Sequence, residues 1–108
     1  MKLFKIEFYV PETHLEDVKN AVFKAGAGQI GNYDSCCWET EGCGQFRPLE
    51  NSSPYIGKNM KLEKVKEFKV ELVCEEENLE NAVNALKQQH PYETPAYQYW
   101  KINNQREV

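Results

Sequence analysis

The sequence predicts an α+β fold, a ferredoxin-like sandwich in which a duplicated β-α-β unit builds an antiparallel four-stranded sheet with two helices on one face. The first observation is an internal repeat. Phe4-Lys5-Ile6-Glu7-Phe8-Tyr9-Val10 aligns without gaps onto Phe68-Lys69-Val70-Glu71-Leu72-Val73-Cys74, an offset of 64 residues. The same offset carries Leu15 onto Leu79, Glu16 onto Glu80, Asn20 onto Asn84, Ala21 onto Ala85 and Val22 onto Leu86. The second observation is that each copy switches from a period of two to helical spacing, the order strand then helix. The third is size: 108 residues can bury one core, so 1–108 are expected to form a single domain.

In the first copy Phe4, Ile6, Phe8 and Val10 alternate with Lys5, Glu7 and Tyr9, the pattern of a strand with one buried face. Pro11-Glu12-Thr13 supplies a breaker and a cap, Leu15, Val18, Val22 and Ala25 form a helical stripe, and Gly26 stops the helix. Gln29 to Glu41, with Ile30, Tyr33, Cys37 and Trp38, is expected to be a strand, although its alternation is imperfect. Gly42 would begin a turn and Gly44 to Pro48 would return as the antiparallel partner, a β-hairpin extension. Residues 50–64, with Asn51, Ser52, Ser53, Pro54 and Gly57, form a long loop of the kind that is functional or disordered. In the second copy Phe68, Val70, Leu72 and Cys74 repeat the strand pattern. Glu75, Glu76 and Glu77 put negative charge at a helix N-terminus, where the peptide dipoles favour it. Leu79, Ala82, Val83 and Leu86 form the buried stripe, Pro91 ends the helix, and Ala96 to Ile102 is an aromatic-rich last strand. Tyr99 and Trp100 point to opposite faces of that strand, one toward the core and one outward.

Composition narrows the function. The chain is 41% hydrophobic and 28% charged, and no apolar run approaches the ~20 residues a membrane span requires, so no membrane partner is expected. Met1-Lys2-Leu3-Phe4-Lys5 lacks the layout of a signal peptide, which points to a cytoplasmic location. A net charge of −4 without a basic stripe argues against nucleic acid, even though aromatics such as Trp38, Tyr97, Tyr99 and Trp100 stack bases in other ferredoxin-like domains. Aromatics on a sheet face left open by the helices fit subunit contact better.

Two segments stand apart. Gly42-Cys43-Gly44-Gln45-Phe46-Arg47-Pro48 and His90-Pro91-Tyr92-Glu93-Thr94-Pro95 set aromatic and charged side chains among backbone-defining glycines and prolines. Stiff loops with mixed chemistry indicate a ligand site or an assembly surface, with Gly42, Gly44, Phe46, Arg47, Pro48, His90, Tyr92 and Glu93 as its residues. Arg47 makes a small anion a natural ligand, because a guanidinium forks onto phosphate or carboxylate; the plainer alternative is an ion pair with Glu50 or Glu93. Gly42-x-Gly44 lacks the extra glycines and following helix of a nucleotide loop.

No catalytic residue, metal site or cofactor is expected. A Cys–His nucleophile pair would need Cys36, Cys37 or Cys43 beside His14 or His90, together with oxyanion donors in register. His14 reads as a solvated residue of a helix start, and Cys74 as a small core hydrophobe. The four cysteines contain no C-x-x-C pair and fit free thiols in a reducing compartment. The alternative, a metal-binding protein, would draw on Cys36, Cys43, His90 and Glu93, which are scattered over three elements. A purely structural oligomerisation module is the other alternative.

Gly31-Asn32-Tyr33-Asp34-Ser35-Cys36, Gly42-x-Gly44-x-Phe46-Arg47-Pro48-Leu49-Glu50, Pro54-x-Ile56-Gly57 and His90-Pro91-Tyr92-Glu93-x-Pro95-Ala96-Tyr97 occur in this order. Together they resemble the domain inserted in the NGG-interacting-factor family, also called GTP cyclohydrolase I type 2 homologues. The resemblance spans nearly the whole chain. It implies a PII/CutA-like ferredoxin fold, a homo-oligomer (a trimer), and a ligand or partner protein held through the Gly42–Pro48 and His90–Pro95 loops in a regulatory role. The family's two-metal centre is built from motifs of the flanking domain that this chain lacks. The resemblance is therefore to the insert standing alone, without hydrolase activity.

Overall fold

The computed structural model describes residues 2–103. The alternating segment Leu3–Pro11 forms β1, in which Ile6, Phe8 and Val10 are buried. A short 3-10 turn, Glu12–His14, leads into α1 (Leu15–Lys24), which buries Leu15, Val18 and Val22. The turn stands where a Thr13 cap was expected: no side chain caps α1, and the Thr13 hydroxyl instead lies 2.9 Å from His14 Nδ1. Gly26 ends the helix with φ of 107°, a conformation that a side chain would strain.

The segment after α1 departs from expectation. Residues 29–37 form no strand beyond one bridge between Ile30 and Tyr33, because positive φ at Gly28, Gly31 and Ser35 keeps turning the chain. The strand β2 begins at Trp38 and runs straight through both glycines to Phe46. Gly42 makes no turn, and Gly44 to Pro48 is no return strand. The partner of β2 is β3 (Glu63–Glu75), paired from Trp38↔Glu71 to Phe46↔Glu63. The pairs Cys43↔Lys66 to Phe46↔Glu63 lie beyond the end of β1, which reaches only Pro11↔Glu67. The hairpin extension is therefore the last part of β2, residues 43–46, with the first part of β3, residues 63–66, joined by residues 47–62.

After β3 come α2 (Glu76–Gln89), with Ala82, Val83 and Leu86 buried, and β4 (Tyr97–Ile102). Glu76 and Glu77 occupy the first turn of α2 as expected, and His90, extended ahead of Pro91, terminates it. The sheet order is β2-β3-β1-β4, antiparallel throughout. Both helices cover the face carrying Ile6, Phe8, Val10, Val70, Leu72 and Cys74.

The two repeat copies form the central strand pair. Glu7 lies directly opposite Glu71, its own equivalent in the repeat, so a pseudo-twofold axis passes between them. The equivalent lysines neutralise the pair crosswise, Lys5 to Glu71 at 2.8 Å and Lys69 to Glu7 at 3.6 Å. This ladder, with Gln98, Trp100 and Trp38, occupies the sheet face that no helix covers. One aromatic expectation fails there: Tyr99 and Trp100 are 47% and 42% exposed, so neither is core. Tyr99 does lie on the helix side of the sheet, but on the edge strand, edge-on to Phe4.

Candidate functional site

At the end of β1 and β3 where the hairpin overhangs, the open sheet face deepens into a cleft of about 280 Å³. Its floor is Tyr9 of β1 and Glu67 of β3, both on the polar positions of the strand alternation. Gln45 and Phe46 close it from β2, and Pro48, Ser52, Pro54, Tyr55 and Ile56 from the connecting segment. Tyr92, Glu93, Thr94 and Ala96 complete it from the loop between α2 and β4. Register explains the convergence: Tyr9 and Glu67 are far apart in sequence but lie near one end of the same antiparallel pair.

Hydrogen bonds lock these parts together. Glu67 Oε2 accepts from the Tyr92 hydroxyl at 2.6 Å, and the Tyr92 ring stands 5.8 Å from that of Phe46. Burial, reinforced by Glu67, pushes the Tyr92 phenol up from its ordinary pKa, so it stays protonated and donating. The Glu67 carboxylate lies across Gly44, in the space a Cβ would take. The connecting segment is folded on itself, Met60 N–H donating to Pro48 O at 2.6 Å and Asn59 Nδ2 to Glu50 O at 3.1 Å. It is tied down at both sides. Ser53 N–H donates to Glu93 Oε2 at 2.8 Å, and Tyr55 packs edge-on against His14 at 5.5 Å.

His90 lies beneath the cleft, 5% exposed and absent from its lining. Its Nε2 is 2.7 Å from Tyr9 O, which can only accept, and its Nδ1 is 3.1 Å from Tyr92 N–H, which can only donate. The ring is therefore the neutral tautomer with its proton on Nε2. Burial lowers its pKa against the opposing pull of Tyr9 O and Glu67.

Of the residues expected from sequence, Phe46, Pro48, Tyr92 and Glu93 line the cleft and Gly44 makes room for Glu67. Gly42 borders a neighbouring depression that shares Tyr9 and Glu67, and nothing lies within 4 Å of where its Cβ would be. Arg47 is exposed, is not among the lining residues, and forms no ion pair among the described residues, with Glu50 and Glu93 included. Among the described residues the charged groups lining the cleft are Glu67 and Glu93, so an anion drawn by Arg47 would meet carboxylates there. Sequence reasoning missed Tyr9, Glu67 and Tyr55. The available signal was Tyr9 itself, an aromatic on the polar side of an alternating strand.

The scattered metal set does not assemble: among the described residues no group of three or more His, Cys, Asp or Glu could hold an ion. Cys36 donates to Asp34 O and Cys43 to Gly44 O, each within its own neighbourhood. Burial raises the Cys74 thiol to about 11 and also raises that of Cys37. No helix among the described residues is long and apolar enough to cross a membrane.

No protein-family model matches the chain. It is 42% identical over 106 residues to a GTP cyclohydrolase 1 type 2 homologue of Halalkalibacterium halodurans, a match covering 98% of this chain and 28% of that protein. A crystal structure of a Bacillus cereus protein related to NIF3 superposes with a TM-score of 0.81 at 35% identity, over 95% of this chain and 26% of the other. The chain thus spans little more than a quarter of the relatives it matches, and within that quarter the resemblance carried by the four motifs holds. CutA from Xylella fastidiosa superposes with a TM-score of 0.68 over 96% of this chain and 86% of its own, at 14% identity, and shows the shared fold.

Proposed function

We propose that this chain is a non-catalytic, homo-oligomeric module that binds a small ligand in the cleft and acts in a regulatory role. The observation that carries this reading is convergence. The two stiff segments singled out by composition, far apart in the chain, meet through Phe46 and Tyr92 over one aromatic-walled cavity. The groups that chemistry would need are engaged elsewhere: both nitrogens of His90 are held by main chain, and the thiols of Cys36, Cys43 and Cys74 bond carbonyls within two residues.

Homo-oligomer formation is supported by the sheet face that no helix covers. Its salt-bridged centre is flanked by exposed Trp38 and Trp100, the aromatic-with-polar mixture typical of subunit contacts. A trimer, the state implied by the family resemblance, is the assembly proposed. Light scattering of the wild type and of Trp38→Lys tests it: the wild type should be larger than a monomer and the variant smaller. A thermal-shift screen of small metabolites, repeated on Phe46→Ala, tests the cleft. A monomeric wild type refutes the assembly, and a screen without any stabilising compound refutes the ligand site.

A further inference from the structure

The geometry points to the chemical class of the ligand: we infer that the cleft takes a small organic cation, an alkylammonium or similar weakly hydrated positive head group. This rests on the cleft being a ligand site at all. Its walls are aromatic, with Tyr9, Phe46, Tyr55 and Tyr92 among the lining residues, and among the described residues its carboxylates are Glu67 and Glu93. Among the described residues no lysine or arginine lines it, and neither carboxylate is in an ion pair. Among the described residues the sole side-chain donor to Glu67 is a neutral phenol, the Tyr92 hydroxyl at 2.6 Å, so no cation among them cancels the charge of the floor.

That hydrogen bond does further work. A phenol donating to a carboxylate becomes more electron-rich, and the negative face of the Tyr92 ring strengthens toward a cation. Phe46 tilts toward the same ring at 58° and 5.8 Å, forming a corner of two aromatic faces beside the acid. A metal ion fits poorly, since it would lose its hydration to two acids already accepting hydrogen bonds and to apolar walls. An anion would face both acids. A bulky ammonium, cheaply dehydrated, is favoured by the carboxylates and by ring faces within about 6 Å. A volume of about 280 Å³ accommodates such a head group with a short tail.

The test uses the whole chain, followed by amide NMR during titration with choline, tetramethylammonium and agmatine. The controls are 3,3-dimethylbutan-1-ol, the uncharged match of choline, and inorganic phosphate. At least one cation should give saturable shifts centred on Tyr9, Phe46, Glu67 and Tyr92, about tenfold tighter than the neutral alcohol. Glu67→Gln, which keeps an acceptor for Tyr92, should lose about tenfold in cation affinity while the weak binding of the alcohol is unchanged. Silence toward all three cations overturns the inference. So does equal binding of choline and the alcohol, or a Glu67→Gln variant that binds cations as the wild type does. Saturable binding of the alcohol or phosphate without the cations would refute the cationic ligand yet leave the cleft a ligand site.

Discussion

Glu7 and Glu71 face each other across the central strand pair, equivalent residues of a duplicated unit brought into direct opposition by the symmetry of their own repeat. Like charges placed so are unfavourable, and the fold offsets them with the equivalent lysines, Lys5 on Glu71 and Lys69 on Glu7. Gln98 adds a hydrogen bond of 2.9 Å to Glu7 from the edge strand.

Replacing Lys5 with Met should therefore cost more than an exposed ion pair is usually worth, roughly 1 kcal/mol near neutral pH, because it leaves two facing carboxylates with one lysine. The hydrogen bond from Lys5 holds the Glu71 carboxyl below its ordinary value of 4.5. The stabilisation is accordingly present above that value and is lost as pH falls through the lower, folded one. Urea unfolding of both proteins should differ at about pH 7, and the difference should shrink as pH falls below about 4.5.

His90 gives a second pH dependence of defined sign. Its folded pKa lies below the ordinary 6.5, so above that value both folded and unfolded chains are neutral there. As pH falls below it, the unfolded chain takes up the proton first and stability declines until the folded value is passed. Protonation of Nδ1 also removes the acceptor for Tyr92 N–H. His90→Gln should lower stability by about 2 kcal/mol and flatten the decline that begins below about pH 6.5, measured by denaturant midpoints.

The two glycines of β2 should behave oppositely. At Gly44 a methyl group would displace the Glu67 carboxylate and break its bond to Tyr92, so Gly44→Ala should cost about 1 kcal/mol and disturb the cleft. At Gly42 a methyl meets nothing within 4 Å, and Gly42→Ala should be neutral or stabilising by up to about 1 kcal/mol. Thermal melts of the two variants read the difference directly.

Thiol chemistry should follow burial. Cys43, exposed on an edge strand, should alkylate first, and Cys74, 2% exposed with its thiol raised to about 11, only on unfolding. Mass spectrometry of timed iodoacetamide labelling gives the order, and early modification of Cys74 would contradict the packing described.

Much of the fold is legible in the sequence alone. The strand from Phe4 to Val10, its copy from Phe68 to Cys74, and both helices announce themselves because one buried face forces a regular period. The middle of the chain could not be read so. An exposed edge strand such as Trp38–Phe46 buries little, so no alternation marks it, and glycines that favour a turn locally were overruled by pairing with β3. Leu49, Tyr55, Met60 and Leu62 sit exposed on the connecting segment without a period of their own.

For the candidate site the division is similar. Phe46, Pro48, Tyr92 and Glu93 were legible because glycine and proline constrain their backbone wherever the chain goes. Tyr9 and Glu67 were not, since on a strand an outward polar position looks the same over water as over a cleft. The sequence by itself determined the duplicated strand-helix unit, the helix-covered face and the two stiff segments, because periodicity and backbone restriction act locally. Only the tertiary structure decided which acid meets which aromatic, that Arg47 lies outside the cleft lining and that His90 is buried beneath it, because these follow from β1–β3 register and the hairpin overhang, contacts between residues that no local pattern links.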